Sequence, residues 1–567
     1  MYVKVTTSGP RRYVQLIESF RDDSGCVKKR TVATLGRADQ LIGELDSVID
    51  GLLKVAGRAP AKLVPTISAS SLTFESARAL GNVWTLTEIW KELGFSDLRR
   101  VFRRTRHTID VEALVRIMVL NRLCDPDSKL GVLRWLQTVA LPDVQIKAVT
   151  HQQLLRSMDA LMDNQEAVDG VVAGLLRPLV DSDLSLAFYD MTTIRAEGLS
   201  TVQGDVRKFG MAKEGLIAKQ FMLGVVQTAD GLPIYHEVFD GNRAEAKTLL
   251  PILKKVMVRL PNLRRLILVA DRGLLSLDNL DELRKLTLPS GQALEFILAV
   301  PGRRYSEFVE LLSPLQQQCL QATAQITTEV ACNELRLVLA HDPVTALEQQ
   351  QKRQAKMNEL QTQANAWVGK LDAQDQGAKK RGRKLSDSGA KARFYHEVRE
   401  SHLGNIIKVN LKDELFSYAV DEGALKLAEM MDGKLLVVTN VKDIEPVEII
   451  ERYKSLADIE RGFKVLKSEL EIGPVYHRLP ERIRAHASIC FMALILHRVM
   501  RMRLRAGNTG VTPERALQTL KRIQHHRVSI NGEQPLSGVS CISEEDSKVF
   551  KALKVKLPSQ TQQMSLL

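Results

Sequence analysis

The sequence predicts an α/β protein with a mixed sheet, preceded by a β-hairpin and a helical region and interrupted by an inserted segment. Apolar runs at 184–190, 264–273 and 433–441 have the length of buried strands, and helical patterns occur between them. Two further strands flank Asp230-Gly231, a dipeptide typical of hairpin turns. A strand, a hairpin and then alternating helices and strands indicate a sheet with both parallel and antiparallel pairs.

The composition is that of a globular protein with a basic surface. Of 567 residues, 44% are hydrophobic and 26% are charged, and 80 Lys and Arg against 67 Asp and Glu give a net charge of +13. This composition excludes a disordered chain and indicates a polyanionic partner such as nucleic acid, although ribosome-associated and membrane-surface proteins carry similar charge.

The cysteines and the apolar segments exclude other classes of protein. Six scattered cysteines without a CxxC pair predict neither a zinc knuckle nor a disulfide framework, and they favour a reducing cytosol. The longest apolar stretch, 487–500, contains His497 and Arg498 and is too short to cross a bilayer. We therefore expect a core helix there and no membrane partner.

Residues 1–65 are predicted to form a β-hairpin followed by a helix. The segments RYVQLIESF and CVKKRTVATLG alternate like strands, and RDDSG between them suits the turn. Lys28, Lys29 and Arg30 make the hairpin basic. Such a hairpin could contact a DNA backbone, but a charged and solvated edge strand is an equally good interpretation.

Residues 66–182 are predicted to be helical, because apolar residues recur at three- and four-residue spacing. Thr150 and Gln153 predict a capping box at the start of one helix. The basic cluster at 98–107 is compatible with a helix-turn-helix-like domain that binds DNA ends, and a plain helical bundle explains the pattern equally well.

Residues 183–302 are predicted to form the first part of the core and residues 433–505 the second part. Residues 303–432 break the alternation with polar helical sequence and a basic tract at 379–393, which predicts an inserted subdomain. Residues 506–567 are predicted to be a basic helical region that ends in a loose tail.

Two carboxylates stand where a mixed sheet forms its sites. Asp190 in FYDMTT and Asp271 in VADRG each follow a buried strand, and open α/β sheets bind ligands beyond the carboxyl ends of their strands. A single Asp after a strand is commonly a turn or N-cap residue. Two such residues in a strongly basic chain point to chemistry instead.

A third carboxylate lies on a predicted amphipathic helix over residues 453–470. Glu460 falls at the edge of the apolar stripe, in line with Tyr453 and Lys467, because seven residues are nearly two helical turns. Three acids suit phosphodiester chemistry, since magnesium is held by carboxylates, water and substrate phosphate and one carboxylate can bridge two ions. The apolar stripe consists of Leu456, Ile459, Phe463, Leu466 and Leu470.

The motifs FYDMTT, VADRG and YKSLADIERGFKVLKSEL together resemble those of the DDE transposases of bacterial insertion sequences. The resemblance is to the group with a Y-x2-R-x3-E-x6-K signature and a long insertion before the Glu. Tyr453, Glu460 and Lys467 stand at the spacing of this signature, whereas Leu456 occupies its Arg position. That departure concerns a substrate contact and leaves the three acids in place.

The resemblance implies a ribonuclease H-like core, two Mg²⁺ or Mn²⁺ ions, and cleavage at transposon ends followed by transfer of a 3′-hydroxyl to target DNA. It assigns Asp190, Asp271 and Glu460 as catalytic metal ligands, and Tyr453 and Lys467 as DNA contacts near the scissile phosphate. The implied partners are terminal inverted repeats, target DNA and a second copy of the chain in a synaptic dimer. The expected location is the bacterial cytoplasm, at the nucleoid.

Two neighbours of the acids are further candidates for DNA contact. Arg272 directly follows the second Asp, where it would touch DNA or pair with a neighbouring acid. Thr192 follows the first Asp, where it would reach a phosphate or cap a turn. In both cases the role without DNA is the more common one.

Two other functions compete with transposition. A metal-dependent nuclease on the same core would cut DNA without joining it, and a strand-transfer assay with pre-cut ends distinguishes the two enzymes. A transposase-derived DNA-binding protein would have lost its chemistry. Retention of all three acids argues against this last class.

Overall fold

The structure is a computed structural model, and contacts divide it into two compact units. The first comprises residues 1–74 and 528–535, and the second comprises residues 75–527 and 536–567. The structure describes residues 1–41, 45–57, 72–104, 108–144, 148–179, 183–198, 202–211, 217–244, 247–271, 277–332, 334–376, 385–530 and 534–558.

The first unit contains an antiparallel sheet built around the predicted hairpin. The Asp22 carboxylate closes the hairpin turn by accepting hydrogen bonds from the backbone N–H groups of Ser24 and Cys26. The hairpin is confirmed, and a strand before it that was not predicted extends the sheet in the order β1-β2-β3. The elements are β1 (Tyr2–Ser8), β2 (Arg11–Arg21), β3 (Val27–Arg37), α1 (Ala38–Leu41) and α2 (Leu45–Val55).

A strand and a series of helices follow. Helix α7 begins with the predicted capping box, in which Thr150 and Gln153 each bond the other's backbone N–H group. The helical prediction is confirmed for these residues except in the strand β4, which sequence periodicity missed. The elements are β4 (Leu72–Ala79), α3 (Gly81–Leu93), α4 (Leu98–Arg103), α5 (Val111–Cys124), α6 (Lys129–Leu136), α7 (His151–Asp163) and α8 (Gln165–Leu176).

The centre of the second unit is a mixed sheet. Strand β7 is antiparallel to β5, β6 and β8, whereas β9 is parallel to both β5 and β10. The predicted turn joins β7 to β8, with Gly231 at a φ of 75°. The elements are β5 (Asp183–Arg195), β6 (Lys208–Met211), β7 (Ile217–Thr228), β8 (Pro233–Asp240), α9 (Leu249–Arg259), β9 (Arg265–Ala270), α10 (Leu277–Lys285) and β10 (Glu295–Ala299).

Residues 303–432 do not form an entirely separate subdomain as predicted. Two strands of this segment, β11 and β12, continue the central sheet, which has the order β10-β15-β12-β11. Only the part from α12 to α14 builds a small core of its own, around Phe394 and Phe416. The elements are α11 (Val309–Gln321), β11 (Ile326–Cys332), β12 (Leu335–His341), α12 (Pro343–Asp375), α13 (Asp387–Glu400), β13 (Ile407–Val409), β14 (Tyr418–Val420), α14 (Glu422–Met431) and β15 (Lys434–Thr439).

The prediction of a single helix over 453–470 is wrong. One helix ends at Lys454, another spans Ala457–Lys464, and a π-helical turn covers Val465–Glu469. At the break the Ser455 hydroxyl donates to the Arg452 carbonyl, a local bond that competes with the helical one. The elements are α15 (Pro446–Lys454), α16 (Ala457–Lys464), α17 (Pro480–Ala506), α18 (Pro513–Leu520), β16 (Gln524–Ile530), β17 (Leu536–Val539) and α19 (Glu544–Leu553).

The two faces of the sheet pack against different helices. Along β9, Leu266, Leu268 and Ala270 join the core formed with α9, α10 and α11. Ile267 and Val269 point to the opposite face and join the core that includes α15. Every second residue of a strand therefore faces the same set of helices.

Helix α17 is the core helix that the sequence predicts around 487–500. It is 27 residues long and apolar enough to pass a test for a membrane span, but 94% of its most apolar window is buried inside the protein. It packs against α5 and α7 and shares one hydrophobic core with them and with α16. Burial by these helices explains its apolar composition.

Candidate active site

Two predicted acids lie side by side because of the parallel pairing of β5 and β9. In this register Tyr189 is opposite Ala270, Asp190 is the next residue of β5, and Asp271 directly follows the end of β9. Neighbouring strands are about 4.8 Å apart, which brings the two carboxylates within reach of the same cation. We call this pair the acid edge.

Both acids belong to the sheet face that α15 covers. Phe188 packs in the core on that face and Tyr189 in the core on the other, so Asp190, two residues after Phe188, returns to the first face. The Asp190 carboxylate accepts a hydrogen bond of 2.6 Å from the Met191 backbone N–H group. Asp271 is exposed just beyond the end of β9.

Tyr453 orients the second acid. Its ring is buried under α15 together with Ile449 and Ile450, and its hydroxyl donates a hydrogen bond of 3.0 Å to Oδ1 of Asp271. The side chain is only 9% exposed. The observed partner of this predicted DNA contact is thus a carboxylate of the acid edge, and the bond fixes the direction in which that carboxylate points.

The helix that carries Glu460 reaches the same face of the sheet. Helix α16 packs against β5, and its residue Phe463 and the preceding Leu456 are buried. The backbone of Glu460 lies within this helix, whereas the side chain of Glu460 is outside the described part. The fold therefore brings the third acid's helix to the strand that carries Asp190.

The remaining predicted residues have different positions. Lys467 is half-buried in the π-helical turn after α16, two residues before Glu469. Glu469 bonds His497 of α17 at 3.0 Å, and this bond lowers the pKa of the Glu469 carboxyl. Thr192 is 2% exposed within β5, so its side chain does not reach the surface in this structure. Arg272 lies outside the described residues.

Sequence reasoning missed the close packing that seats α16 on the sheet. A β-carbon at Gly462 would lie 2.8 Å from Nε2 of Gln227, which is closer than real contacts allow, and 3.1 Å from Nη2 of Arg498, which is a tight contact. Gln227 is fully buried in β7 and Arg498 is 3% exposed in α17. The available signal was the glycine itself, because a glycine inside a helix costs about 1 kcal/mol relative to alanine and needs a packing reason.

The donor set fits hard divalent cations. Carboxylate oxygens are the protein ligands that Mg²⁺ and Mn²⁺ prefer, and Asp271 is open to solvent and to substrate. No group of three His, Cys, Asp or Glu residues that could hold a metal ion occurs among the described side chains, a set that does not include the side chain of Glu460. Two of the three predicted acids, Asp190 and Asp271, therefore lie side by side.

Comparison with protein families decides the class of the molecule. Residues 181–496, more than half of the chain, match the family described as "Transposase DDE domain". The chain is a DDE transposase. Residues 3–63 match a second family, "IS1634 family transposase, N-terminal domain", which identifies a transposase of insertion sequences. As a member of this family the protein is an enzyme that cleaves and joins DNA.

Comparisons with individual proteins give less information about this DDE transposase than the family matches do. No curated protein matches its sequence. Among solved structures, it is similar to a piggyBac transposase in a synaptic complex with hairpin DNA, at 8% identity and a TM-score of 0.35. The similarity covers 85% of this chain and 83% of the other.

Proposed function

We propose that this transposase cleaves the ends of its insertion sequence and joins the resulting 3′-hydroxyl to target DNA, with Asp190, Asp271 and Glu460 as ligands of two Mg²⁺ or Mn²⁺ ions. The observation that carries this proposal is the register of β5 and β9, which makes Asp190 and Asp271 neighbours. The packing of α16 on β5 supports the place of Glu460 as the third ligand.

The strand order supports a ribonuclease H-like core. Strands β8, β7 and β5 form an antiparallel meander, and β9 and β10 follow parallel to β5 on its other side. In this sheet β9 ends just before Asp271, whereas β5 continues past Asp190 to Arg195, so the acid edge lies at the carboxyl end of β9. The strands from the inserted segment extend the far side of β10 and leave this edge open.

The residues of the chain have separate tasks in this proposal. Bound divalent ions supply neutralisation of the phosphate oxygens and activation of the attacking and leaving oxygens. Asp190 and Asp271 are fixed by β-sheet pairing, and Tyr453 keeps the Asp271 carboxylate in one orientation. Lys467, seven residues after Glu460, is the cationic contact for a phosphate next to the cleaved bond.

Both chemical steps are displacements at phosphorus. In cleavage, a water molecule loses a proton as its oxygen bonds to phosphorus, the P–O3′ bond breaks, and the released 3′-oxygen takes up a proton. In joining, that 3′-hydroxyl loses its proton as its oxygen bonds to a target phosphorus, the target's own P–O3′ bond breaks, and the released target 3′-oxygen takes up a proton. Bonds and protons balance in each step, so that no external energy source is required.

We further propose a dimer that holds two transposon ends, at the nucleoid in the cytoplasm. Two ends must be cut and joined together, and two copies of a single-site enzyme supply the two sites. The basic hairpin of residues 1–65 and the helical segment 66–182 are the proposed contacts with the inverted repeats. The net charge of +13 supports binding along the DNA backbone.

The test is a joining assay with pre-cut transposon ends and a supercoiled target plasmid in Mg²⁺. We expect the wild-type protein to produce covalently joined DNA and Glu460→Gln to produce none while still binding the ends. The substrate is identified by sequencing the DNA that flanks the gene and searching it for short inverted repeats. A wild-type protein that cuts these ends but never joins them is a nuclease, and this result would overturn the proposal.

A further inference from the structure

A cavity of about 650 Å³ lies beyond the end of β5, away from the acid edge. It is bounded by the start of α6, the start of α7 and the loop that joins the π-helical turn to α17. Its volume falls in the range of about 300–1,000 Å³ that ligand sites occupy. We call it the cation cavity because its lining includes Arg122, Lys129, Arg478 and Arg482.

Two of these cations are buried without a carboxylate partner. Lys129 is 6% exposed and Arg122 is 5% exposed, and neither forms an ion pair with any carboxylate in the described part of the chain. The Arg122 guanidinium donates instead to the neutral carbonyl groups of Leu470, Glu471 and Asp127. Two buried charges of one sign are costly unless an anion joins them.

The ionisation of Lys129 reflects this surplus of positive charge. Burial, followed by the nearby Arg122 guanidinium, lowers the pKa of the Lys129 ammonium to about 7. Burial also lowers the pKa of His477, on the loop, to about 3. An anion that entered the cavity would restore the charged form of Lys129.

The other charged groups of the lining do not supply that anion. The Asp127 carboxylate is 3.3 Å from the Arg134 guanidinium and accepts the Ser128 backbone N–H group. Arg482 is paired in bidentate fashion with Asp159. Glu471 is exposed at the rim.

A buried arginine holds the loop that forms one wall. Arg207 is 4% exposed, pairs with Asp205, and donates to the backbone carbonyls of His477 and Arg478. These bonds present the exposed Tyr476 and Arg478 side chains at the mouth of the cavity. The hydrogen bonds of Arg207 therefore fix the position of this wall of the cavity.

The position of the cavity relates it to the acid edge. The loop joins the end of β5 through a bridge between Ala196 and Val475. Ala196 is six residues beyond Asp190, which corresponds to about 20 Å along a strand. Phosphates of one DNA strand repeat about every 3.4 Å, so the cavity is roughly six nucleotides from a phosphate at the acid edge.

We infer that the cation cavity binds a backbone phosphate of the DNA, through Lys129 and Arg122, about six nucleotides from the cleaved bond. This inference rests on the proposed function for the path of the DNA. The ligand chemistry is that of a phosphate group. A free phosphate ion would present the same oxygens, and the experiment must distinguish it from the DNA backbone.

The test measures binding of a short labelled duplex by fluorescence anisotropy in EDTA, across a series of KCl concentrations, for Lys129→Met and Lys129→Arg. Loss of one phosphate contact reduces the slope of log K against log salt by about 0.9. We expect this reduction for Lys129→Met and a wild-type slope for Lys129→Arg. The matched control is Lys434→Met, since burial also lowers the pKa of Lys434 but this residue lies outside the cavity.

A second arm identifies the source of the phosphate. Inorganic phosphate is added in place of chloride at equal ionic strength, and the melting temperature is recorded for the wild-type protein and Lys129→Met. A DNA site gives a changed salt slope, whereas a site for free phosphate gives a phosphate-dependent melting temperature with an unchanged slope. An unchanged slope for a folded Lys129→Met protein overturns the inference.

Binding in EDTA is independent of catalysis, so the two proposals can fail separately. If the slope is unchanged and the wild-type protein joins DNA in Mg²⁺, the inference fails and the proposed function stands. If the slope falls and the wild-type protein does not join DNA, the inference stands and the proposed function fails.

Discussion

The acid edge and the cation cavity hold charge in opposite ways. At the acid edge, Asp190 and Asp271 are neighbours because two strands pair in register, and Asp271 remains open to solvent. In the cation cavity, Lys129 and Arg122 are buried, and residues more than 300 positions apart in sequence surround them. The comparison shows that backbone pairing can bring solvent-accessible charges together at a low cost in free energy, whereas buried charges need a ligand of opposite charge.

The largest effect that tests this comparison is expected at the acid edge. Asp271→Asn or Asp190→Asn should reduce Mg²⁺-dependent cleavage by about 10³-fold, because a metal clamp contributes several kcal/mol to phosphoryl transfer. DNA affinity in EDTA should stay near that of the wild-type protein. Cleavage of end-labelled DNA on gels measures the rate.

The matched control for these variants is Asp240→Asn. Asp240 is also an exposed Asp at the carboxyl end of a strand, but it ends β8 and lies outside the acid edge. We expect its variant to cleave at the wild-type rate. Near-parental cleavage by either acid-edge variant would contradict the assignment of that residue.

The second effect concerns the hydrogen bond that orients Asp271. Tyr453→Phe keeps the buried ring and removes the hydroxyl, and the loss of such a supporting bond typically costs 10–100-fold in metal affinity or activity. Cleavage rates over a range of Mg²⁺ concentrations measure it. Tyr235→Phe removes a similar bond, from a phenol to the Glu237 carboxylate, and should have no effect on cleavage.

A third test addresses the contact that seats the Glu helix. In Gly462→Ala the new methyl group would meet Gln227 and Arg498, and overpacking of this kind destabilises a protein by about 1–3 kcal/mol. We expect a lower free energy of unfolding in urea and slower cleavage. Gly170→Ala, in α8 with open space around it, should leave both unchanged. An equally stable and active Gly462→Ala protein would show that α16 is not seated this tightly.

The smallest expected effect is the pH dependence of DNA affinity. Because the pKa of free Lys129 is about 7 and a bound phosphate favours its charged form, binding takes up a proton above that pH. Affinity in EDTA should therefore fall from about pH 6.5 to pH 8, by less than tenfold per pH unit, and Lys129→Arg should abolish this dependence.

Three other titratable groups near Lys129 should not produce this dependence. Burial lowers the pKa of His477 to about 3 and that of His486 well below its usual value, so both are neutral in this range. Burial raises the pKa of the Cys490 thiol, which also stays neutral. The same pH dependence in Lys129→Arg would assign the titration to another group.

The acid edge could be predicted from the sequence because its determinants are local. An apolar run followed by Asp predicts a strand with a carboxylate at its end, and parallel pairing places two such residues together. Asp271 does follow the end of β9, but the prediction that Asp190 ends its strand is wrong, because antiparallel pairing with β7 continues β5 to Arg195. The break between Tyr453 and Glu460 could not be predicted, since the apolar stripe keeps its period across it. Only the packing on the sheet shows that Tyr453 contacts Asp271.

The cation cavity could not be predicted for a different physical reason. Lys129 follows a helix-capping serine and looks like an exposed residue at the start of a helix. Its burial depends on the loop at 471–479 and on α17, which no local pattern connects to it. The sequence also did not predict that β11 and β12 extend the central sheet, because the tertiary fold determines which strands pair.

The position of β15 between β10 and β12 has a consequence for synthesis of the protein. A nascent chain that has emerged as far as residue 432 carries both Asp residues of the acid edge, but it lacks β15 and the helix of Glu460. Strands β10 and β12 then present open edges, which the next residues to leave the ribosome cover. The helix of the third proposed metal ligand therefore leaves the ribosome after both Asp residues of the acid edge.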